Sequence, residues 1–525
     1  MLKCDNATMY SAHCCHHSFI EKLQIRHKNT LLEVFNFLVL SFTQKLNTIK
    51  KENVNFKRFK TLIYKALYHL EFNIHSFKIN YSMRYIICLF SIVYLLMQFT
   101  GCVMQNPHKY VAPGYWRATL QLVDDKQEKK EFVPRDRSEK YQIDEVTDSE
   151  LPFLFEVKYE DEDRFHIDII NGEERIRVKP EDIIVGRNPS TGQDTLIIRF
   201  PHYESYIKAI YEERVMEGEW VVETRENYRI PFVARHGENY RFTTLRKTPK
   251  IDVNGDWAVI FSEDDDPYTA IGEFEQDGNH LAGTFRTETG DFRFLDGSIQ
   301  ANKMYLSCFD GSHAFLYEAK ILEDSTIIGA FWSGKHYKTT WSAKRDPDFR
   351  LTSPEELTYL KDGYDKVEFT FPDINGKPVS LNDPKYKDKV KIIQILGTWC
   401  PNCADETAFL SEYYNTLKSD DLAIIGLAYE KHRSPEKAKI AIERFIDRFD
   451  VQYDVLFANG SSSKQEAAET LPMLNAVISY PTMIFIDKND KVRKIHTGFE
   501  GPATSQYETF KQEFDIFVKK LLNNG

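Results

Sequence analysis

The stretch from Lys389 to Leu410, KVKIIQILGTWCPNCADETAFL, decides the fold. Val390, Ile392, Ile393, Ile395 and Leu396 make a short β-rich apolar run closed by Gly397, the pattern of a central parallel strand covered on both faces. A helix is expected next. Pro401 is tolerated in its first turn, where no N–H is required of it, and Phe409, Leu410, Tyr413 and Leu417 then recur at helical spacing. Cys400 therefore falls at the start of the helix, where unsatisfied N–H groups and the positive end of the dipole favour a thiolate. Cys403 lies three residues on, on the same face. It is placed to close a small disulfide onto Cys400 once that thiolate has attacked a partner's disulfide. Two blander roles compete. A structural zinc site needs four ligands, and the nearest other cysteine in this part of the chain is the isolated Cys308. A purely structural disulfide gains most from closing a long loop, and this loop is minimal. A redox pair on a strand-to-helix turn is the better account.

Trp399-Cys400-Pro401-Asn402-Cys403, then Glu406, and much later Tyr480-Pro481-Thr482 before the run MIFID, resemble the thioredoxin superfamily. Within it they resemble the TlpA-like branch of membrane-tethered thiol-disulfide oxidoreductases. The resemblance implies catalysis by Cys400 and Cys403, with no metal and no cofactor beyond their redox-active disulfide. It also implies a cis peptide bond at Pro481, whose loop packs beside the dithiol and, with Trp399 and Tyr480, shapes a groove for an extended substrate. Glu406 matches the acidic residue that related cytochrome c maturation reductases carry after the cysteine pair. A carboxylate one helical turn from Cys403 can take its proton or raise its thiol pKa, and a solvated surface glutamate is the alternative. The interval from Cys403 to Pro481 exceeds what a plain thioredoxin needs, so an insertion is expected, with SSSKQEAAETLPML part of it.

The α/β domain is placed at residues 367–525. Its expected elements are the run VEFTF, a hairpin at Asn375-Gly376, the buried strand DLAIIGLAY, an amphipathic helix from Pro435 to Phe449, the strands MIFID and KVRKIHTG about a turn at Asn489-Asp490, and a final helix from about Ser505 to Leu522. Both cysteines then sit at a strand's carboxyl end, where open α/β sheets place their sites. Residues 350–366 are expected as a linker, with Ser353-Pro354-Glu355-Glu356 opening a short helix.

Residues 103–349 are β-rich, so the expected fold class is multidomain: an antiparallel barrel or sandwich, then the thioredoxin-like domain. Alternating runs such as WRATLQL, LPFLFEV, DTLIIRF, DFRFL, KMYLSCF and HAFLYEA are separated by turn signals at Asn171-Gly172, Asp277-Gly278, Asp296-Gly297 and Asp310-Gly311. Gly114-Tyr115-Trp116 and Gly255-Asp256-Trp257 open two similar halves, 114–235 and 255–345, which suggests a duplication. Trp116, Trp257, Phe309 and Phe315 are expected as core rather than as the lining of a ligand cavity. Cys308 is expected as a small buried side chain and His313 as a satisfied polar one.

Residues 1–82 carry twelve Lys and Arg against five Asp and Glu and contain no Gly or Pro. Met83 then opens MRYIICLFSIVYLLMQFTGC, a basic residue, an uncharged apolar run and small residues before Cys102, the build of a secretory signal. Residues 83–102 resemble a bacterial lipoprotein signal in which Cys102 becomes the lipidated N-terminus, although Phe99 stands where leucine is usual. On that basis residues 1–82 are an upstream extension. A signal anchor is the alternative, since the uncharged stretch just suffices to span a bilayer. Either way the catalytic domain faces the periplasm from the bacterial cell envelope, tethered to membrane. Residues 103–525 keep fifty-five basic against seventy-four acidic side chains, which disfavours nucleic acid as a partner.

The activity expected is reduction of disulfides in exported proteins, with an inner-membrane electron donor restoring the dithiol. A peroxiredoxin-like thiol peroxidase is one alternative; Ile393 and Gly397, however, occupy the positions where that branch carries proline and threonine. A surface ligand-binding lipoprotein, with the thioredoxin fold as scaffold, is the other.

Overall fold

Alternation of buried and exposed side chains turns the amino-terminal runs into two antiparallel sheets. The protein's structure is a computed structural model that describes residues 110–123, 149–262 and 266–523. The extension 1–82, the signal-like stretch 83–102 and Cys102 lie outside the described residues. No helix among the described residues is long and apolar enough to cross a membrane.

The first sheet has nine strands between Gly114 and His236. Its opening strand, Gly114–Gln121, pairs with Glu150–Tyr159 on one side and with the last strand, Arg229–His236, on the other. The edges are Glu174–Val178 and Ile183–Arg187, joined by a short turn at Pro180–Asp182, so the sheet is an open half-barrel. The second sheet, between Gly255 and Lys344, closes. Its opening strand Gly255–Phe261 pairs with Tyr268–Asp277 and with the last strand Tyr337–Lys344. Tyr268–Asp277 continues through His280–Thr287 to Leu295–Gln300, completing a barrel. The two sheets share a plan. In each, the third residue of the opening strand is a fully buried tryptophan whose indole N–H donates to the carbonyl four residues earlier, Trp116 to Ala112 and Trp257 to Val253, both at 2.9 Å.

Why one closes and the other does not follows from the strand Lys303–Phe309, which is buried on both faces. Met304, Leu306 and Cys308 fill the barrel interior. Phe309 points the other way, into the half-barrel, stacking on Phe153 at 4.4 Å and meeting Trp220 at 5.2 Å and Phe200 at 5.7 Å edge-on. Leu316 and Trp332 join it. The outer wall of the barrel thus supplies the core that closure would otherwise provide. Trp116, Trp257, Phe309 and Phe315 are all core, Cys308 is fully buried, and His313 Nδ1 lies 3.1 Å from Asp310.

Two local expectations fail. Asp296-Gly297 lies inside the strand Leu295–Gln300 and makes no turn; a Cβ at Gly297 would come within 1.9 Å of the Tyr305 carbonyl, so glycine is there for close strand approach. The run DFRFL is not a continuous strand. The chain leaves the sheet after Asp291 and turns at Arg293, whose φ of +66° sends its side chain toward buried carboxylates.

The carboxyl-terminal domain has a five-stranded sheet: β1 Val390–Leu396, β2 Leu422–Tyr429, β3 Asp454–Asn459, β4 Thr482–Ile486 and β5 Val492–Thr497, in the order β3-β2-β1-β4-β5. β1 to β3 are parallel, and β4 and β5 run antiparallel to their neighbours. Every residue of β1 and β2 is buried. Helices α1 Pro401–Leu417, α2 Pro435–Phe449, α3 Lys464–Thr470 and α4 Tyr507–Asn523 complete the domain. Ser434 and Ser463 cap α2 and α3 through their hydroxyls. The expected linker is not a free tether. Its short helix Pro354–Leu357 packs on β5, Leu360 bridges to Leu474, and Lys361 N–H donates to the Met473 carbonyl at 2.9 Å.

Candidate active site

β1 ends at Leu396, and three residues carry the chain to Cys400, the N-cap of α1. This loop is pinned to the neighbouring strand. Glu430, the first residue after β2, accepts from the Thr398 N–H at 3.1 Å and from its hydroxyl at 2.7 Å. The Trp399 indole donates to the Tyr429 carbonyl at 2.9 Å, with the Lys431 ammonium 4.6 Å above its ring. From the other side comes the loop before β4, where the Tyr480–Pro481 peptide bond is cis. The Cys400 thiol donates to the Tyr480 carbonyl at 3.4 Å, and the Trp399 and Tyr480 rings meet edge-on at 5.7 Å. The structure therefore brings together Trp399, Cys400, Cys403, Tyr480 and Pro481 across about eighty residues of chain.

The two thiols are pushed in opposite directions. The Cys403 thiol, hydrogen-bonded to Cys400 Sγ, lowers the Cys400 pKa against the opposing effect of burial; the N–H groups of Cys403 and Asn402 and the Lys431 ammonium add to it. Burial raises Cys403 well above the ordinary thiol range, and the charges of Cys400 and Glu406 raise it further. The alternative of a solvated Glu406 is overturned. Its side chain is fully buried, because its face of α1 packs on β1, where Gln394 donates to Oε2 at 2.9 Å. Oε1 has no hydrogen-bond partner, and burial pushes this carboxyl far above its usual range. Glu430 is likewise driven up by burial, to about 7, despite its bonds to Thr398.

Sequence reasoning missed Glu430, Lys431, Asp405 and Arg293. Glu430 had a usable signal, a charged residue directly after a wholly apolar strand. Arg293 had none. It is buried among carboxylates from three parts of the chain, pairing with Asp405 of α1, with Glu174 of the first sheet at 2.8 Å and with Asp310 of the second at 3.5 Å. Among the described residues no cluster of three or more His, Cys, Asp or Glu is arranged to hold a metal ion.

A sheet of this order, with a dithiol at the start of α1 and a cis proline beside it, defines a thioredoxin-fold domain. A family model described as Redoxin matches residues 361–510. Curated relatives include the thiol-disulfide oxidoreductase ResA of Bacillus thuringiensis subsp. konkukian (strain 97-27), 27% identical over 159 residues, which is 30% of this chain and 78% of the relative. ResA of Bacillus subtilis (strain 168) is 27% identical over 139 residues, 26% of this chain and 69% of the relative. Among solved structures, a thiol:disulfide interchange protein from Chlorobium tepidum TLS is 20% identical and covers 31% of this chain and 99% of its own, with a TM-score of 0.24. Residues 361–510 thus match the Redoxin model, and the activity is that of a thiol-disulfide oxidoreductase, similar to ResA.

Proposed function

We propose that this protein is exported and membrane-tethered and reduces disulfides of other exported proteins through Cys400 and Cys403. The Cys400 thiolate attacks one sulfur of the substrate; that S–S bond breaks, a mixed disulfide forms, and the departing thiolate takes a proton. Cys403 then loses its proton, with the ionised form of Glu406 as the acceptor, and attacks Cys400 Sγ. The second substrate thiol leaves, and the Cys400–Cys403 disulfide remains. An inner-membrane donor returns two electrons and two protons. Retention on the membrane through a lipidated Cys102, facing the periplasm, rests on the residues from Met83 to Cys102.

The observation that carries this reading is geometric: Cys400 caps α1 with Cys403 one turn on, and its thiol meets the Tyr480 carbonyl beside the cis Pro481 bond, a setting that lowers the Cys400 pKa and raises that of Cys403. Reduction of a small aromatic disulfide by the purified chain tests it. Cys400→Ser should lose about a thousandfold or more in rate, and Cys403→Ser should stop at a mixed disulfide visible as added mass. Undiminished turnover by Cys400→Ser would sink the proposal. The intact mass of membrane-extracted protein reads the anchor: a chain beginning at Met1 without lipid overturns that part.

A further inference from the structure

The dithiol does not open directly onto solvent. Cys400 is only 8% exposed, and a hairpin of the second barrel contacts residues on either side of it, Asn402 and Ser479. A tight turn at Glu288-Thr289 joins the barrel strand His280–Thr287 to Gly290–Asp291. The hairpin's contacts fall on the loop before β4, the first turn of α1 and the loop after β5. The Ser479 hydroxyl, one residue before Tyr480, donates to the Thr289 carbonyl at 2.9 Å. The Asn402 amide, between the two cysteines, donates to the Asp291 carbonyl at 3.4 Å. The Gly501 N–H, beyond β5, donates to the Asp291 carboxylate at 3.1 Å. Gly290, at φ +139°, fits so closely that a Cβ there would stand 2.0 Å from Asn402 Nδ2. Arg293, two residues past the turn's return strand, ties the hairpin to Asp405 in α1.

Two of these contacts put main-chain carbonyls onto side-chain donors that flank the reactive sulfur. An extended polypeptide carrying a disulfide offers the same groups, carbonyls on either side of its cystine. A small disulfide does not; it needs only a gap at Cys400 Sγ. We infer that the Glu288–Arg293 hairpin is an intramolecular pseudosubstrate, holding the Asn402 and Ser479 donors that grip the main chain of an incoming disulfide-bearing polypeptide, and that it must swing away before such a polypeptide reaches Cys400. This rests on the proposed role of Cys400 and narrows its substrate to extended chains.

The test reads access, not turnover, on the reduced full chain. Iodoacetamide and a bulky polyethylene-glycol maleimide are each reacted briefly, and labelling of Cys400 is followed by mass spectrometry. Gly290→Val, which cannot seat against Asn402, should raise the maleimide rate about tenfold or more and the iodoacetamide rate much less. Equal maleimide rates in the two chains overturn the inference. Should the variant fail to fold by circular dichroism, the wild type still decides. Its maleimide-to-iodoacetamide ratio should lie about tenfold or more below that of free glutathione, and an equal ratio overturns the hairpin's role. Opened access in Gly290→Val without disulfide reduction by either chain would remove the proposed activity and leave the pseudosubstrate standing. Equal labelling, with insulin reduced equally fast by both chains, would do the reverse.

Discussion

Asp405 and Glu406 are neighbours on α1, the first carboxylate partly buried and the second fully, and the two faces they occupy could hardly differ more. Asp405 turns toward Arg293, in a cluster that also holds Glu174, Asp310 and Asp291. Glu406 turns toward β1 and finds a single amide, Gln394, with its other oxygen left unpaired. The first face joins the two β sheets to the thioredoxin-like domain. The second is kept short of partners. A buried carboxylate given a cation is committed to structure, whereas one given only an amide retains the freedom to exchange a proton. Even the first face is short of positive charge. Burial lifts Asp405 to about 7 although Arg293 pulls it down, while Asp310, which burial also pushes up, is held at about 2 by His313 and Arg293.

The contrast breaks most visibly at Arg293. Arg293→Met strips the shared cation from three carboxylates and should cost about 3–5 kcal/mol of unfolding free energy at pH 8, measured by denaturant titration. The sign with pH follows from Asp405. A carboxyl raised in the folded state contributes stability that is complete below its unfolded value near 3.8 and is lost as pH rises through about 7. Without Arg293 the loss deepens at high pH, so the cost should shrink at pH 5; an equal cost at both values would erase the distinction drawn here.

Glu430 lies on the cation-poor side, and its carboxyl must ionise as pH rises through about 7. Glu430→Gln has nothing to ionise. Relative to wild type, its stability should rise by up to about 3 kcal/mol between pH 5 and pH 8, and a flat difference would mean that Glu430 titrates normally. The smallest effect is expected at Glu406 itself. Glu406→Gln should slow disulfide reduction about tenfold to a hundredfold by removing the acceptor for the Cys403 proton, while leaving iodoacetamide labelling of Cys400 nearly unchanged. Equal slowing of both would recast Glu406 as a structural support for the loop.

Much of this was legible in advance because it is local. The apolar run ending at Gly397, the proline in the first helical turn and the cysteine spacing each report on a few consecutive residues, and the helix Pro435–Phe449 appears with the limits its periodicity implies. The burial of Glu406 was harder. Helical spacing puts it one turn from Cys403, but only the packing of α1 on Gln394 decides that the same face excludes water. Asp296-Gly297 misled because a turn dipeptide and a close strand contact ask for the same residue, glycine, for different reasons.

The linear chain by itself determined where a strand hands two cysteines to a helix, and that a β-rich region precedes them, since hydrophobic period and turn chemistry are properties of neighbours. Tertiary structure alone decided that a barrel hairpin contacts Asn402 and Ser479 beside those cysteines and that Arg293 meets Glu174 and Asp405 from positions 119 and 112 residues away. Charges that far apart in sequence leave no local trace; they find one another only because folding removes water and makes an unpaired carboxylate too costly to leave alone.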